Sequence, residues 1–248
     1  MIFKHIINFV LNFLYPPKCI FCGKLLEINT DSSFCDDCRQ SIPYLKDTVC
    51  CNRCGKPLVS FGDKMLCYNC INETHFYYKK IVSVFEYENK PRESIIRYKA
   101  NPIPAYAKVY AELMYERFLD CYSGENIDFI AKVPSDKIRI LKKGADHAGL
   151  LCEEFSKISG IPFYENCLIK TRKTAKQSSL SYIERQTNLK DSIRARETEK
   201  IKNKVCLLID DVCTTCASIK ECAKELKLSG CKKIVVLTLC TTPKKTIK

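Results

Sequence analysis

The sequence predicts an α/β fold, a parallel sheet with helical crossovers, preceded by a small cysteine-rich metal module. Three observations carry this. Residues 205–209 (V-C-L-L-I) form an unbroken apolar run, which a parallel strand buried on both faces requires. From Ile81 onward such runs alternate with stretches of helical periodicity, the pattern of βα units joined by right-handed crossovers. Ahead of them, Cys19, Cys22, Cys35 and Cys38 recur 32 positions later as Cys51, Cys54, Cys67 and Cys70.

Taken in order, residues 2–14 are apolar apart from Lys4, His5 and two asparagines, and predict a short helix packed on the body of the protein. They are too short for a membrane span, and no small-residue cleavage site follows, so neither stable membrane insertion nor export is expected. The repeat at 19–70 is C-x₂-C-x₁₂-C-x₂-C twice over, with Gly-Lys after the second cysteine each time (Gly23-Lys24, Gly55-Lys56). A C-x₂-C turn aims two thiolates at one centre, and two such turns complete a tetrahedral Cys₄ zinc site. Two structural zinc ions are therefore expected, supplying folding energy that about 50 residues cannot obtain from a core alone. Spacing leaves open whether the pairs close within each unit or across units.

Residues 76–80 make the junction, and 81–87 (I-V-S-V-F-E-Y) read as a strand. Pro91 is expected at the first position of a helix running through Tyr98. Ala107, Tyr110, Ala111, Met114 and Phe118 mark the face of the next helix. Residues 129–133 are a short strand ending at Pro134-Ser135, followed by a helix over 145–159 that stops at Gly160. A further strand is expected over 162–169, a polar helix or arm over 180–191, and the last two strands over 204–210 and 233–239. Ile219, Cys222, Ala223 and Leu226 give the intervening helix its apolar face, and Gly230 ends it. The expected division is an N-terminal helix at 1–18, a double zinc module at 19–75 and the sheet domain at 76–248.

Composition narrows the functional classes. The 248 residues include 41 Lys and Arg against 28 Asp and Glu, a formal net charge of +13. Two Cys₄ zinc sites at −2 each would leave about +9, still enough to favour an anionic partner. Ten of the 18 cysteines lie in C-x₂-C pairs, so they are no disulfide framework, and a cytoplasmic, reducing compartment is expected.

The chemistry concentrates where the strand at 204–210 emerges. Asp210-Asp211 is followed by a turn of small and hydroxyl residues, Thr214, Thr215, Cys216, Ala217 and Ser218, at a helix N-terminus. Free backbone N–H groups and hydroxyls there can hold a phosphate, and the carboxylates suit a ribose diol or a Mg²⁺ carried by a polyphosphate. The stretch resembles the signature of type I phosphoribosyltransferases: two acids, an apolar residue, any residue, then Thr-Thr-Gly-x-Thr. Asp210, Asp211, Val212, Thr214 and Thr215 match, Ser218 replaces the last Thr, and Cys216 stands where glycine belongs. A side chain at that glycine is expected to weaken phosphate affinity.

Across nearly the whole chain the sequence also resembles the ComF (competence protein F) family, in which cysteine-rich zinc ribbons precede a phosphoribosyltransferase-like domain. Val133-Pro134, then Lys143-Gly144-Ala145-Asp146-His147, then Arg172, Thr174, Gln177, Arg185 and Asn188 follow that family's motifs, with Lys143 for Arg and Ala145 for an aromatic. The resemblance implies phosphoribosyl pyrophosphate (PRPP) with Mg²⁺ as ligand, bound by Asp210, Asp211 and 214–218. Val133, Pro134, Ser135, Lys143 and Arg172 would serve the pyrophosphate, with Arg139 and Lys142 nearby. His147 is either a base or phosphate donor, or a capping histidine. No dedicated general base is visible, so the catalytic residues stay unknown. Three readings follow. One is an accessory protein of natural competence and DNA uptake that binds PRPP and single-stranded DNA, with competence proteins such as a helicase as partners. The second is an active phosphoribosyltransferase on an unknown base or amine. The third is a zinc-ribbon interaction protein with a degenerate transferase domain. Tyr77, Tyr78, Tyr106 and Tyr110 are candidates for stacking on DNA bases.

Overall fold

The structure is a computed structural model. It describes residues 16–27, 30, 32–58, 65–73, 75–100, 104–136, 140–141, 144–172 and 188–243. The expected N-terminal helix, Arg139, Lys142, Lys143, Thr174, Gln177, Arg185 and most of the arm at 180–191 lie outside those residues.

The strands are β1 (Ile81–Glu86), β2 (Phe129–Lys132), β3 (Leu168–Lys170), β4 (Ile193–Ala195), β5 (Val205–Cys213) and β6 (Lys233–Thr241). Four of them form one wholly parallel sheet in the order β1-β6-β5-β2. Alternation along β5 and β6 divides their apolar side chains between two faces. Leu207, Ile209, Val235 and Leu237 join one core cluster, and Cys206, Leu208, Ile234 and Val236 join the other. The helices are α1 (Asp36–Ser41), α2 (Tyr68–Ile71), α3 (Asn89–Ala100), α4 (Pro104–Tyr122), α5 (His147–Ser159), α6 (Thr198–Ile201) and α7 (Ala217–Leu228). The first face is covered by α3, α4 and α5 through Ile95, Met114, Phe118, Leu151 and Phe155. The second is covered by α7, whose Ile219, Cys222, Ala223 and Leu226 are at most 1% exposed. Gly160 and Gly230 terminate α5 and α7 in left-handed conformations, as expected of C-terminal glycines.

The two cysteine units straddle this sheet. Cys19, Ile20, Phe21 and Cys38 belong to the first core cluster, and Cys51, Cys54, Cys67 and Cys70 to the second. Phe21 is clasped edge-on by Phe34 and Phe85, burial worth roughly 2 kcal/mol. The first unit is tied to α3, where Ser94 Oγ donates to the Ile20 carbonyl and Arg97 Nη2 to the carbonyls of Ile20 and Phe21. The second is tied to the start of β1, where the Ile81 N–H donates to the Arg53 carbonyl at 2.9 Å.

The repeated glycines show how differently the units dock. Gly55 has φ +68, and a Cβ on it would lie 2.4 Å from the Ile81 carbonyl oxygen; Gly23 has φ +77 and open space around it. Gly55→Ala is therefore expected to cost roughly 3 kcal/mol, left-handed strain plus a backbone clash, whereas Gly23→Ala carries the strain alone, roughly 1 kcal/mol. Urea unfolding of the two variants checks the difference, and equal midpoints would contradict it.

Four local expectations are corrected. The strand expected over 162–169 does not join the sheet as such. Pro162 has no N–H to give, and only Phe163 bridges Ile130 before a turn at Glu165-Asn166; β3 then pairs antiparallel with β4. The strand expected to end at Asp210 continues to Cys213, because β6 remains alongside it through Thr241. Pro91 is the third residue of α3, which starts at Asn89 with φ 46. Tyr78 and Tyr110 are core residues, 4% and 1% exposed, and unavailable to bases. Tyr77 is 40% exposed, and Tyr106 is half-buried and stacked on Tyr98.

Candidate functional site

The carboxyl edge of the parallel sheet is where open α/β sheets bind ligands, and the candidate residues gather there. Asp210 stands opposite Thr238, and Cys213 opposite Thr241, in the β5–β6 ladder. Thr214 and Thr215 form the turn and Cys216 caps α7 with φ 59 and ψ 8. Its carbonyl accepts the Lys220 N–H at 2.8 Å, the first bond of the helix. The chain thus adopts at Cys216 the left-handed conformation usual for glycine, at a cost of about 1–2 kcal/mol. The Cys216 side chain turns inward, its Sγ 2.9 Å from that of Cys213. The hydrogen bond with Cys213, and then burial, push the Cys216 thiol well up. Both side chains are buried, and the raised Cys216 thiol is opposite to the activation that a helix N-terminus alone would give.

Asp211 has a partner within the protein. Lys99, at the end of α3, places Nζ 2.8 Å from its Oδ2. Burial would lower the Lys99 ammonium, but the Asp211 carboxylate outweighs this and holds the pKa above the usual lysine range. Withdrawal from water, then the neighbouring Asp211 charge, push the Asp210 carboxyl up to about 8. Asp210 is thus largely protonated at neutral pH. A carboxyl raised in the folded state takes up a proton on folding, so its contribution to stability is fully present below about pH 4 and lost as pH rises to about 8. Asp210→Asn should remove that loss: relative to wild type, the variant gains thermal stability between pH 5 and pH 9. A pH-independent difference in melting temperature would contradict the assignment.

Beside the acids lies the turn after β2. Val133 continues the ladder, its N–H donating to the Ile209 carbonyl at 3.0 Å, and Pro134 is buried. Ser135 Oγ donates to Asp146 Oδ1 at 3.2 Å, and Lys132 Nζ lies 2.5 Å from Asp146 Oδ2 and 3.4 Å from Glu165. Lys132 is 7% exposed. Sequence reasoning passed over both Lys99 and Lys132. The second could have been noticed, as the one charge in the apolar run at 129–133. Nothing in the local pattern marks Lys99, which lies just past the expected helix end. Arg172 Nη2 donates to the carbonyls of Asn188 and Lys190, at 3.0 and 2.9 Å, and so ties together the two ends of the 173–187 segment. His147 packs edge-on against Tyr98, with ring centroids 5.3 Å apart, and its carbonyl accepts the Tyr98 hydroxyl. The edge therefore offers two acids, one buried and one half-buried lysine, and a phosphate-type loop.

The repeat cysteines close within each unit: Cys19, Cys22, Cys35 and Cys38 form one tetrad and Cys51, Cys54, Cys67 and Cys70 the other, all sulfurs of each within 4.8 Å of one another. Cys22 and Cys35 sulfurs are 3.7 Å apart, and those of Cys54 and Cys67 3.6 Å. A tetrahedron with zinc–sulfur bonds of about 2.3 Å has edges of about 3.8 Å, so both donor sets fit zinc. Cys51 is held well below the ordinary thiol range by hydrogen bonds from Cys54, Cys67 and Cys70, while Cys54 and Cys70 are pushed up. A zinc ion takes the place of the protons that the sulfurs otherwise share.

A parallel sheet with this loop at its carboxyl edge, flanked by two Cys₄ units, defines a zinc-ribbon protein with a phosphoribosyltransferase-type domain. The chain belongs to the phosphoribosyl transferase domain family, which it matches over residues 101–248. A double zinc ribbon domain matches residues 10–71. Similar proteins bear out the resemblance to the ComF family. "Competence protein F" of Haemophilus influenzae is 27% identical over 88% of this chain and 94% of its own length. "DNA utilization protein YhgH" of Escherichia coli is 25% identical over 92% of this chain and 98% of its own. A solved adenine phosphoribosyltransferase covers 60% of this chain and 74% of its own at 11% identity, with a TM-score of 0.38.

Proposed function

We propose that this protein is a ComF-type accessory factor in DNA uptake or utilization, which binds Mg-PRPP at Asp210, Asp211 and residues 214–218 and single-stranded DNA over its basic surface. One observation carries the ligand half of the reading: the loop takes a phosphate-loop conformation at Cys216 although the residue there is not glycine. Structure that accepts such strain at a helix N-terminus beside two acids supports a retained anion site. When Mg²⁺ is bound it would neutralise polyphosphate charge. Asp210 and Asp211 would hold the ribose or the metal, and Thr214, Thr215 and Ser218 with nearby N–H groups the phosphate. Residues 133–135 and Arg172 are proposed for the pyrophosphate, and the domain division at 18/19 and 75/76 is proposed with them.

The DNA half rests on the net charge of +13 and on the names of the relatives. Binding to a mixed-sequence oligonucleotide is expected to weaken steeply between 50 and 200 mM salt, about tenfold or more for even a few phosphate contacts. Mobility shifts unchanged over that range would remove the electrostatic basis. A second reading, a transferase-like domain that binds no nucleotide, is favoured by the Lys99–Asp211 ion pair, which already satisfies one of the acids. Pyrophosphate release on incubation with PRPP and candidate acceptors would instead identify an active transferase.

A further inference from the structure

The duplicated Gly-Lys dipeptide serves two different purposes. In the first ribbon Lys24 makes a 3.4 Å ion pair with Asp37 on the surface, with side chains 67% and 73% exposed. In the second, Lys56 reaches the phosphate loop. Its Nζ donates to Thr242 Oγ1 at 3.3 Å, that hydroxyl donates to the Thr214 carbonyl at 3.4 Å, and the Thr242 N–H donates to the Cys213 carbonyl at 3.0 Å. Beyond the loop, Glu73, three residues after the last zinc ligand, pairs with Lys220 in the first turn of α7. The ribbon therefore grips the chain on both sides of Cys216. Beneath, Cys213 and Cys216 share one buried cluster with Tyr78, Cys54 and Cys70. A non-glycine residue in a left-handed conformation persists only where its surroundings over-determine it, and much of this surrounding structure comes from the second ribbon. Among the described residues the first ribbon reaches the site at one remove, through α3 and Lys99.

We infer that the second zinc ribbon is a positioning element of the phosphate loop, so that zinc on Cys51, Cys54, Cys67 and Cys70 and phosphate on residues 214–218 strengthen each other's binding. The inference rests on the Mg-PRPP reading. Lys56 and Glu73 act through Thr242 and Lys220 and are positioning residues. Because coupling between two binding sites is reciprocal, it can be read from the metal as well as from the ligand.

Zinc release from the full chain to a chromogenic chelator, with and without saturating Mg-PRPP, tests the coupling without any substitution. The affinities of Lys56→Gln, Glu73→Gln and Lys24→Gln for Mg-PRPP accompany it, each variant checked for zinc content and melting temperature. At equilibrium with the chelator, Mg-PRPP should tighten the binding of one of the two zinc ions about fivefold or more and leave the other unchanged. Lys56→Gln and Glu73→Gln should each weaken Mg-PRPP roughly three- to tenfold, Lys56→Arg should restore most of the loss, and Lys24→Gln should bind as wild type. Unaltered binding of both zinc ions, with wild-type affinity in the Lys56 and Glu73 variants, overturns the inference and leaves the ligand site standing. A folded, zinc-loaded wild type that binds no Mg-PRPP overturns both.

Discussion

Replacing Asp210 and Asp211 together by Asn is expected to abolish Mg-PRPP binding, a loss of at least about a hundredfold or roughly 2.7 kcal/mol, in a protein that still folds. The survival of the fold follows from the resting state of the pair. Asp210, with its carboxyl pushed up to about 8, is already largely neutral at pH 7, and Asn matches it in shape and charge. Asp211 is half-buried and pairs with Lys99, itself 32% exposed at the side chain. Asn at 211 leaves that ammonium with a weaker acceptor and enough water to limit the cost to about 1 kcal/mol. The ligand has no such alternative. A metal at this edge would draw the proton off Asp210 and take both carboxylates as ligands, and Asn, which cannot ionise, offers neither charge. Wild-type affinity in the double variant would show that the acids do not serve the ligand. Calorimetry on the variant, with its melting curve, separates this outcome from unfolding.

Substitution of a zinc ligand should have the largest effect on stability, and an unequal one. Structural zinc contributes on the order of 10 kcal/mol of apparent binding energy in isolated zinc-finger peptides. All four cysteines of the second tetrad are buried within the core cluster that also contains α7 and one face of the sheet, whereas Cys22 is exposed and Cys35 half-buried in the first. Cys54→Ser is therefore expected to lose one zinc and to lower the melting temperature by about 10 °C or more, a few kcal/mol in a domain of this size. Cys22→Ser should lose the other zinc with a smaller fall. Elemental analysis of the wild type, purified without added metal, should return about two zinc ions per chain. A folded protein with a value near zero would remove zinc from the account.

The parts of this architecture that are local in origin could be read from the residues. Apolar runs marked β1, β2, β5 and β6, the helical face at Ile219, Cys222, Ala223 and Leu226 was as predicted, and the cysteine spacing marked the eight zinc ligands, though not which pairs share an ion. What escaped depends on partners distant in the chain. The extension of β5 past Asp210 needs β6 beside it, since an acidic pair is a poor strand signal by itself. The docking of the two ribbons on opposite faces of the sheet appears only through contacts such as Gly55 against Ile81 and Arg97 against Ile20. Lys99 reaches Asp211 from a residue 112 positions earlier in the chain. Tyr78 and Tyr110 looked like candidates for stacking on DNA bases because exposure is not written in residue type; both fill the core. The site's acids and loop were legible as a motif, while the state of those acids, one neutralised by burial and one paired, is a property of the fold.

Calorimetric titration of the zinc-loaded wild type with Mg-PRPP tests the central claim most directly. The account predicts saturable heat with one ligand per chain, and no such heat in the Asp210→Asn/Asp211→Asn variant. A flat titration of the folded wild type, with no rise in melting temperature at saturating Mg-PRPP, would contradict it.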